Sequence, residues 1–218
     1  MTPFDAVRGV HISFGTVALV IAPLAMITVK GGLWHRRWGK IFFCAMAGVS
    51  VTAAIMCWLR TGWFLFLIAI LSFYLAVTGY RVLQRKKPTD RANALDVAVA
   101  AVMSLAGIGM VALGLVSSDQ TGRTVKVAFG VIALAIGTID IIHCFKSSAS
   151  DRHWMIVHMT RFLGAYVATV TAFGVVNFQF LPPLWRWLGP TIVGTIAISI
   201  WRNQYRRKLK LKPYGNIQ

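Results

Sequence analysis

Residues 62–83 read GWFLFLIAILSFYLAVTGYRVL, in which Arg81 is the sole charged residue. A run of this length and apolarity matches the roughly 20 residues needed to cross the hydrocarbon of a bilayer as a helix. Comparable runs flank it at 8–29 and 40–59 on one side, and at 95–117, 126–145, 154–178 and 184–201 on the other. The reading is an all-α polytopic membrane bundle of seven transmembrane helices. Residues 1–201 form a single domain and residues 202–218 a basic cytoplasmic tail.

Composition agrees with that frame. The chain is 57% hydrophobic and 13% charged, far from the balance of an ordinary soluble domain. Its net charge of +17 comes from 23 Lys and Arg set against six Asp. In a soluble chain that excess would point to nucleic acid; here the cations fall between apolar runs, so topology explains them and no nucleic-acid partner is expected. The lipid bilayer is the expected partner.

The loops set the direction. Lys and Arg are retained on the cytoplasmic side of short loops. Seventeen of them (Lys30, Arg36, Arg37 and Lys40; Arg81 to Arg91; Lys146 and Arg152; Arg202 to Lys212) fall on one side, against Arg8, Arg60, Arg123, Lys126 and Arg186 on the other. This places the N-terminus outside and the C-terminus in the cytoplasm. All eight tryptophans sit near a span end, as amphipathic rings at the headgroup level do. The first run reads as a retained helix, since it is long enough to span and no basic n-region precedes it. The tail from Arg202 to Lys212 reads chiefly as a topology anchor, with anionic lipid as its candidate partner.

Cys44, Cys57 and Cys144 lie within apolar runs without metal-type spacing, and read as buried thiols. No metal site is expected from them.

Ionisable groups in the hydrocarbon are costly, and they face the bundle interior or a wet cavity. The chain has five: His11, Asp140, His143, His158 and Arg161. Asp140 and His143 are three apart, on one helical face with Gly130, Ala133 and Gly137. His158 and Arg161 repeat the pattern, followed by Ala165, Ala168 and Ala172. Antiparallel neighbours joined by a short loop would set Asp140 and Arg161 at one depth, as a polar cluster or ion pair, with His143 and His158 nearer the cytoplasm. His35 and His153 fall at the same interface, which makes four of the five histidines potential neighbours. His153 and His158, five residues apart, point about 140° away from each other on a helix. His143 and His158 are the candidate pair for one shared ligand such as a bis-histidine haem. His11 lies near the opposite surface, across most of a roughly 30 Å core, and serves either a second site or a hydrogen bond to the next helix.

Two stretches carry a resemblance: His11-Ile-x-x-Gly15 with Ala18-Leu19 and Pro23, and His35-Arg36-Arg37-Trp38-Gly39-Lys40. Together with His153-Trp154-Met155, His158-Met159 and Gly164-Ala165-Tyr166 they resemble the bacterial membrane family catalogued as domain of unknown function 2306. That resemblance implies a multi-span fold and carries no activity. The His-Arg-x-x-Gly segment is similar, more weakly, to helix starts in b561-type cytochromes, which implies bis-histidine haem and electron transfer. Fewer suitably placed histidines are present than their four-ligand pattern requires.

Other classes are disfavoured. The last span has no lysine for a retinal Schiff base and no histidine for a seven-span zinc hydrolase, and no CxxCH motif occurs. The leading expectation is a haem-b membrane redox protein with a quinone or protein redox partner. The rivals are an ion- or proton-coupled transporter or channel through Asp140, Arg161 and His158, and an assembly or scaffold protein without ligand.

Overall fold

The structure, a computed structural model, describes residues 2–87, 89–145 and 153–209. Among them it is entirely helical: α1 Pro3–Ile27, α2 Leu33–Leu59, α3 Trp63–Arg81 with a 3₁₀ turn Val82–Gln84, α4 Ala94–Leu115, α5 Gln120–Phe145, α6 His153–Asn177 and α7 Pro183–Lys208. Helices α1 to α6 are long and apolar enough to cross a membrane. Apolar side chains such as Val20, Leu105 and Val193 point outward, a surface suited to lipid. In α7 the apolar stretch is diluted by Arg186, Gly189, Pro190 and a last turn of Arg206, Arg207 and Lys208.

Several helices run past the apolar stretches that announce them, because backbone pairing continues into the water-facing turns where charges are cheap. α1 begins at Pro3: the Thr2 side chain accepts from the Asp5 N–H, and Asp5 reaches back to the Thr2 N–H, closing a capping box. α2 begins at Leu33, so His35–Lys40 form helix, where the sequence reading had a basic loop. Gly31 makes the preceding turn at φ 77°, a left-handed conformation that glycine adopts without penalty. α7 continues through Arg202–Lys208, the first part of the basic tail. Lys146, Arg152, Lys210 and Lys212 lie outside the described residues.

Every sequential pair of described helices that packs does so antiparallel, and α3 is the common wall. It touches α2, α4, α5 and α6. One core joins α3, α4 and α5 around Leu71, Tyr74, Met103, Met110 and Phe129, closed by Trp187 of α7. The other joins α1, α2, α3 and α6 around Ala18, Phe42, Met46, Ala76 and Ala165. The α5 and α6 backbones do not pack against each other, where the sequence reading has them as packed neighbours; the two helices are joined instead through side chains, including the expected Asp140–Arg161 pair. The small face of α5 lies on α4 instead. A Cβ built on Gly130 would stand 2.7 Å from the Val111 nitrogen, and one on Gly137 2.7 Å from the Ser104 nitrogen. Backbones this close require glycine. Likewise Ala165 of α6 packs into the α1–α2–α3 core.

Candidate functional site

Three helices supply a polar triad inside the bundle. Tyr74 stands on α3, 3% exposed, with Asp140 on α5 and Arg161 on α6. Arg161 Nη2 donates to both Asp140 oxygens, at 2.6 and 2.7 Å, and the Tyr74 hydroxyl donates to Asp140 Oδ2. The guanidinium carbon lies 5.7 Å from the Tyr74 ring centroid, within cation–π range. The charges cancel, and the carboxylate gains a neutral donor besides its counter-ion. Pairing of this kind is what makes an intramembrane ion tolerable. Because α3 separates α5 from α6, the pair bridges a gap between them over Tyr74, and both side chains keep some exposure, 15% and 19%.

One turn nearer the basic end of the bundle, His158 Nδ1 lies 2.8 Å from the Gly79 carbonyl oxygen. Gly79 is in the last turn of α3, where carbonyls lack intrahelical donors. It also permits the approach: a Cβ there would meet the Phe162 ring at 2.6 Å and Arg161 Cβ at 2.9 Å. His35, in the first turn of α2, does the same for α1, its Nδ1 lying 3.0 Å from the Ala25 carbonyl oxygen. That helix end is also met by the Thr28 hydroxyl, at 3.0 Å, and by the Lys30 ammonium.

The two imidazoles are neighbours, with centroids 6.3 Å apart and planes at 78°. Phe162 packs on the other side of His158 at 4.7 Å. A carbonyl oxygen only accepts, so each Nδ1 carries the proton and, in a neutral ring, each Nε2 keeps its lone pair. On neighbouring rings, such Nε2 atoms are able to take protons or ligate a metal.

The remaining histidines lie elsewhere. His143, on α5, is felt electrostatically by His153 at the start of α6. His11 Nδ1 lies 2.9 Å from Thr52 Oγ1 on α2, a hydroxyl that itself donates to the Gly48 carbonyl at 2.6 Å. Among the described residues no group of three or more His, Cys, Asp or Glu is placed to hold a metal ion.

Tyr74 and Gly79 are absent from the sequence-based candidates. A tyrosine mid-span is a legible signal, since a buried hydroxyl seeks an acceptor. Gly79 carries no such mark, as its role depends on which helix approaches.

The chain matches no family model, no curated protein and no solved structure.

Proposed function

We propose that the chain is a seven-span protein of the bacterial cytoplasmic membrane, N-terminus outside and C-terminus inside, that binds haem b at its basic end and passes electrons. The 26 residues of α7 amount to about 39 Å of helix at 1.5 Å per residue, enough for a seventh crossing. The imbalance of basic residues supports the direction.

The observation that carries the haem reading is the contact of Nδ1 with a backbone carbonyl oxygen in both His35 and His158. Imidazoles that ligate iron or other metals hold their second N–H on a carbonyl or carboxylate, which fixes the ring and raises the basicity of the ligating nitrogen. Both rings have that arrangement, through Ala25 and Gly79. His35 and His158 would hold the iron, a different pair from the His143–His158 candidates that spacing suggests. Haem, when bound, supplies reversible one-electron chemistry at iron. The chain's own part is to orient both rings and to set positive charge at the same end, through Arg36, Arg37 and Lys40, against the macrocycle's carboxylates. The His35-Arg36-x-x-Gly39 segment, similar to helix starts in b561-type cytochromes, adds support to the haem reading, while the motifs that resemble the family of unknown function 2306 support the multi-span fold alone.

The test is an absorption spectrum of detergent-purified protein after haem-supplemented expression, with and without dithionite. A Soret band with a low-spin reduced spectrum is expected, abolished by His35→Ala or His158→Ala and retained in His143→Ala and His11→Ala. Protein without any Soret band overturns the reading.

A second reading, ion- or proton-coupled transport, is favoured by the triad of Tyr74, Asp140 and Arg161 over the α5–α6 gap, because intramembrane ionisable groups mark pathways. Proteoliposome flux that vanishes in Asp140→Asn, with no haem present, would replace the first reading by the second.

A further inference from the structure

At the basic end, the exit of α3 and the entry of α4 enclose a cavity of about 260 Å³ lined by Arg81, Gln84, Arg85, Arg91, Asn93 and Asp96. None of these residues belongs to the histidine pair or the triad. Asp96 is the organising group. It is the N3 residue of a capping box with Asn93, its side chain is 8% exposed, and it pairs with Arg81 Nε at 2.7 Å and with Arg85 Nη1 at 3.7 Å. Arg81 Nη2 donates to Asn93 Oδ1 at 3.0 Å.

Asp96 thereby holds two guanidinium groups side by side without using up their donors. Each guanidinium carries five N–H groups, so Arg81 retains its Nη1 hydrogens and Arg85 its Nε and Nη2 hydrogens. Arg91 is exposed at the same cavity and has no ion-pair partner among the described residues. The second carboxylate at the wall, Asp90, accepts from the Lys87 N–H at 2.9 Å. Three arginines against two carboxylates leave the cavity with a net positive charge. Planar guanidinium pairs bind phosphate by parallel charge-assisted hydrogen bonds. The volume lies below that of pockets for drug-sized ligands, which suits a single headgroup.

We propose that this cavity binds a phosphate group, carried either on an anionic phospholipid at the membrane surface or free in solution, with Arg85 and Arg91 as direct donors and Asp96 as a positioning residue. The site is separate from the helical tail, where Arg202 and Arg207 are exposed.

The experiment is a thermal-shift titration of the full chain in neutral detergent, using phosphatidylglycerol, phosphatidylcholine and inorganic phosphate as separate probes. Phosphatidylglycerol is expected to raise Tm saturably, with phosphatidylcholine inert. The double variant Arg85→Gln/Arg91→Gln should weaken the apparent affinity about tenfold or more. Arg202→Gln/Arg207→Gln, with the same loss of charge, should leave it unchanged. The same variant-sensitive shift from inorganic phosphate alone assigns the soluble anion; a shift from the lipid alone assigns the headgroup. Equal affinity in the cavity variant, equal loss in the tail variant, or no shift with either phosphate probe overturns the proposal. Should the double variant fold poorly, Arg91→Gln alone, at an exposed position, carries the same comparison.

Discussion

The α4–α5 pair and the α3–α6 pair solve the same problem by opposite means. Between α4 and α5 the helices meet through Gly107, Gly114, Gly130 and Gly137, each of which lies against backbone atoms of the other helix, with Val127, Val111 and Ser104 filling the space beside them. Between α3 and α6 the helices approach at Gly79 and Gly164, and the seam adds polar contacts to its apolar ones, with His158 on a carbonyl and Arg161 reaching past Tyr74 to Asp140. Without a hydrophobic drive between helices in lipid, association rests on packing or on polar contacts. The first seam holds as many atoms in contact as shape allows. The second gives up some of that packing for ionisable groups held in defined contacts, and the function proposed above draws on it.

The contrast is testable. Gly130→Leu should have the largest effect. It drives a side chain into the Val111 backbone, which has no flexible end to yield, and should cost at least about 3 kcal/mol, read as loss of monodisperse protein or of the cooperative SDS unfolding transition. At the polar seam, Asp140→Ala leaves Arg161 unpaired and should cost about 3 kcal/mol in the same unfolding measurement. Adding Arg161→Met should restore most of that loss. If the double variant is as unstable as the single one, the seam depends on more than charge pairing. Tyr74→Phe removes one hydrogen bond to an ion that keeps its counter-charge and should cost about 1 kcal/mol, while the Asp140–Arg161 contact persists. A larger loss would make the phenol, not the ion pair, the main support of Asp140.

Much of this arrangement is visible in the chain itself. Apolar run length announces six helices without ambiguity, and the expense of intramembrane charge singles out Asp140 and Arg161. Periodicity also finds the small face of α5. What periodicity cannot supply is the identity of the neighbour: the stripe Gly130, Ala133, Gly137 says that something comes close, and three-dimensional order decides that it is α4. His35 is named by the sequence as a neighbour at this interface, but its pairing with His158 was not legible, for a different reason. Its basic surroundings read as loop, whereas helix α2 carries it back over the end of α1 toward His158. Asp96 was concealed by its neighbours' apolarity, although Asn93 three residues before it is a capping-box signature.

The position of Tyr74 bears on biogenesis. A chain emerges from the ribosome N-terminal end first, so Asp140 is delivered to the bilayer before Arg161, 21 residues later, has followed it. During that interval α3 is already present, and its phenol offers the carboxylate a donor while the guanidinium is still to come. On that order Tyr74→Phe should be felt first in the yield of inserted protein and only afterwards in the stability of the finished molecule.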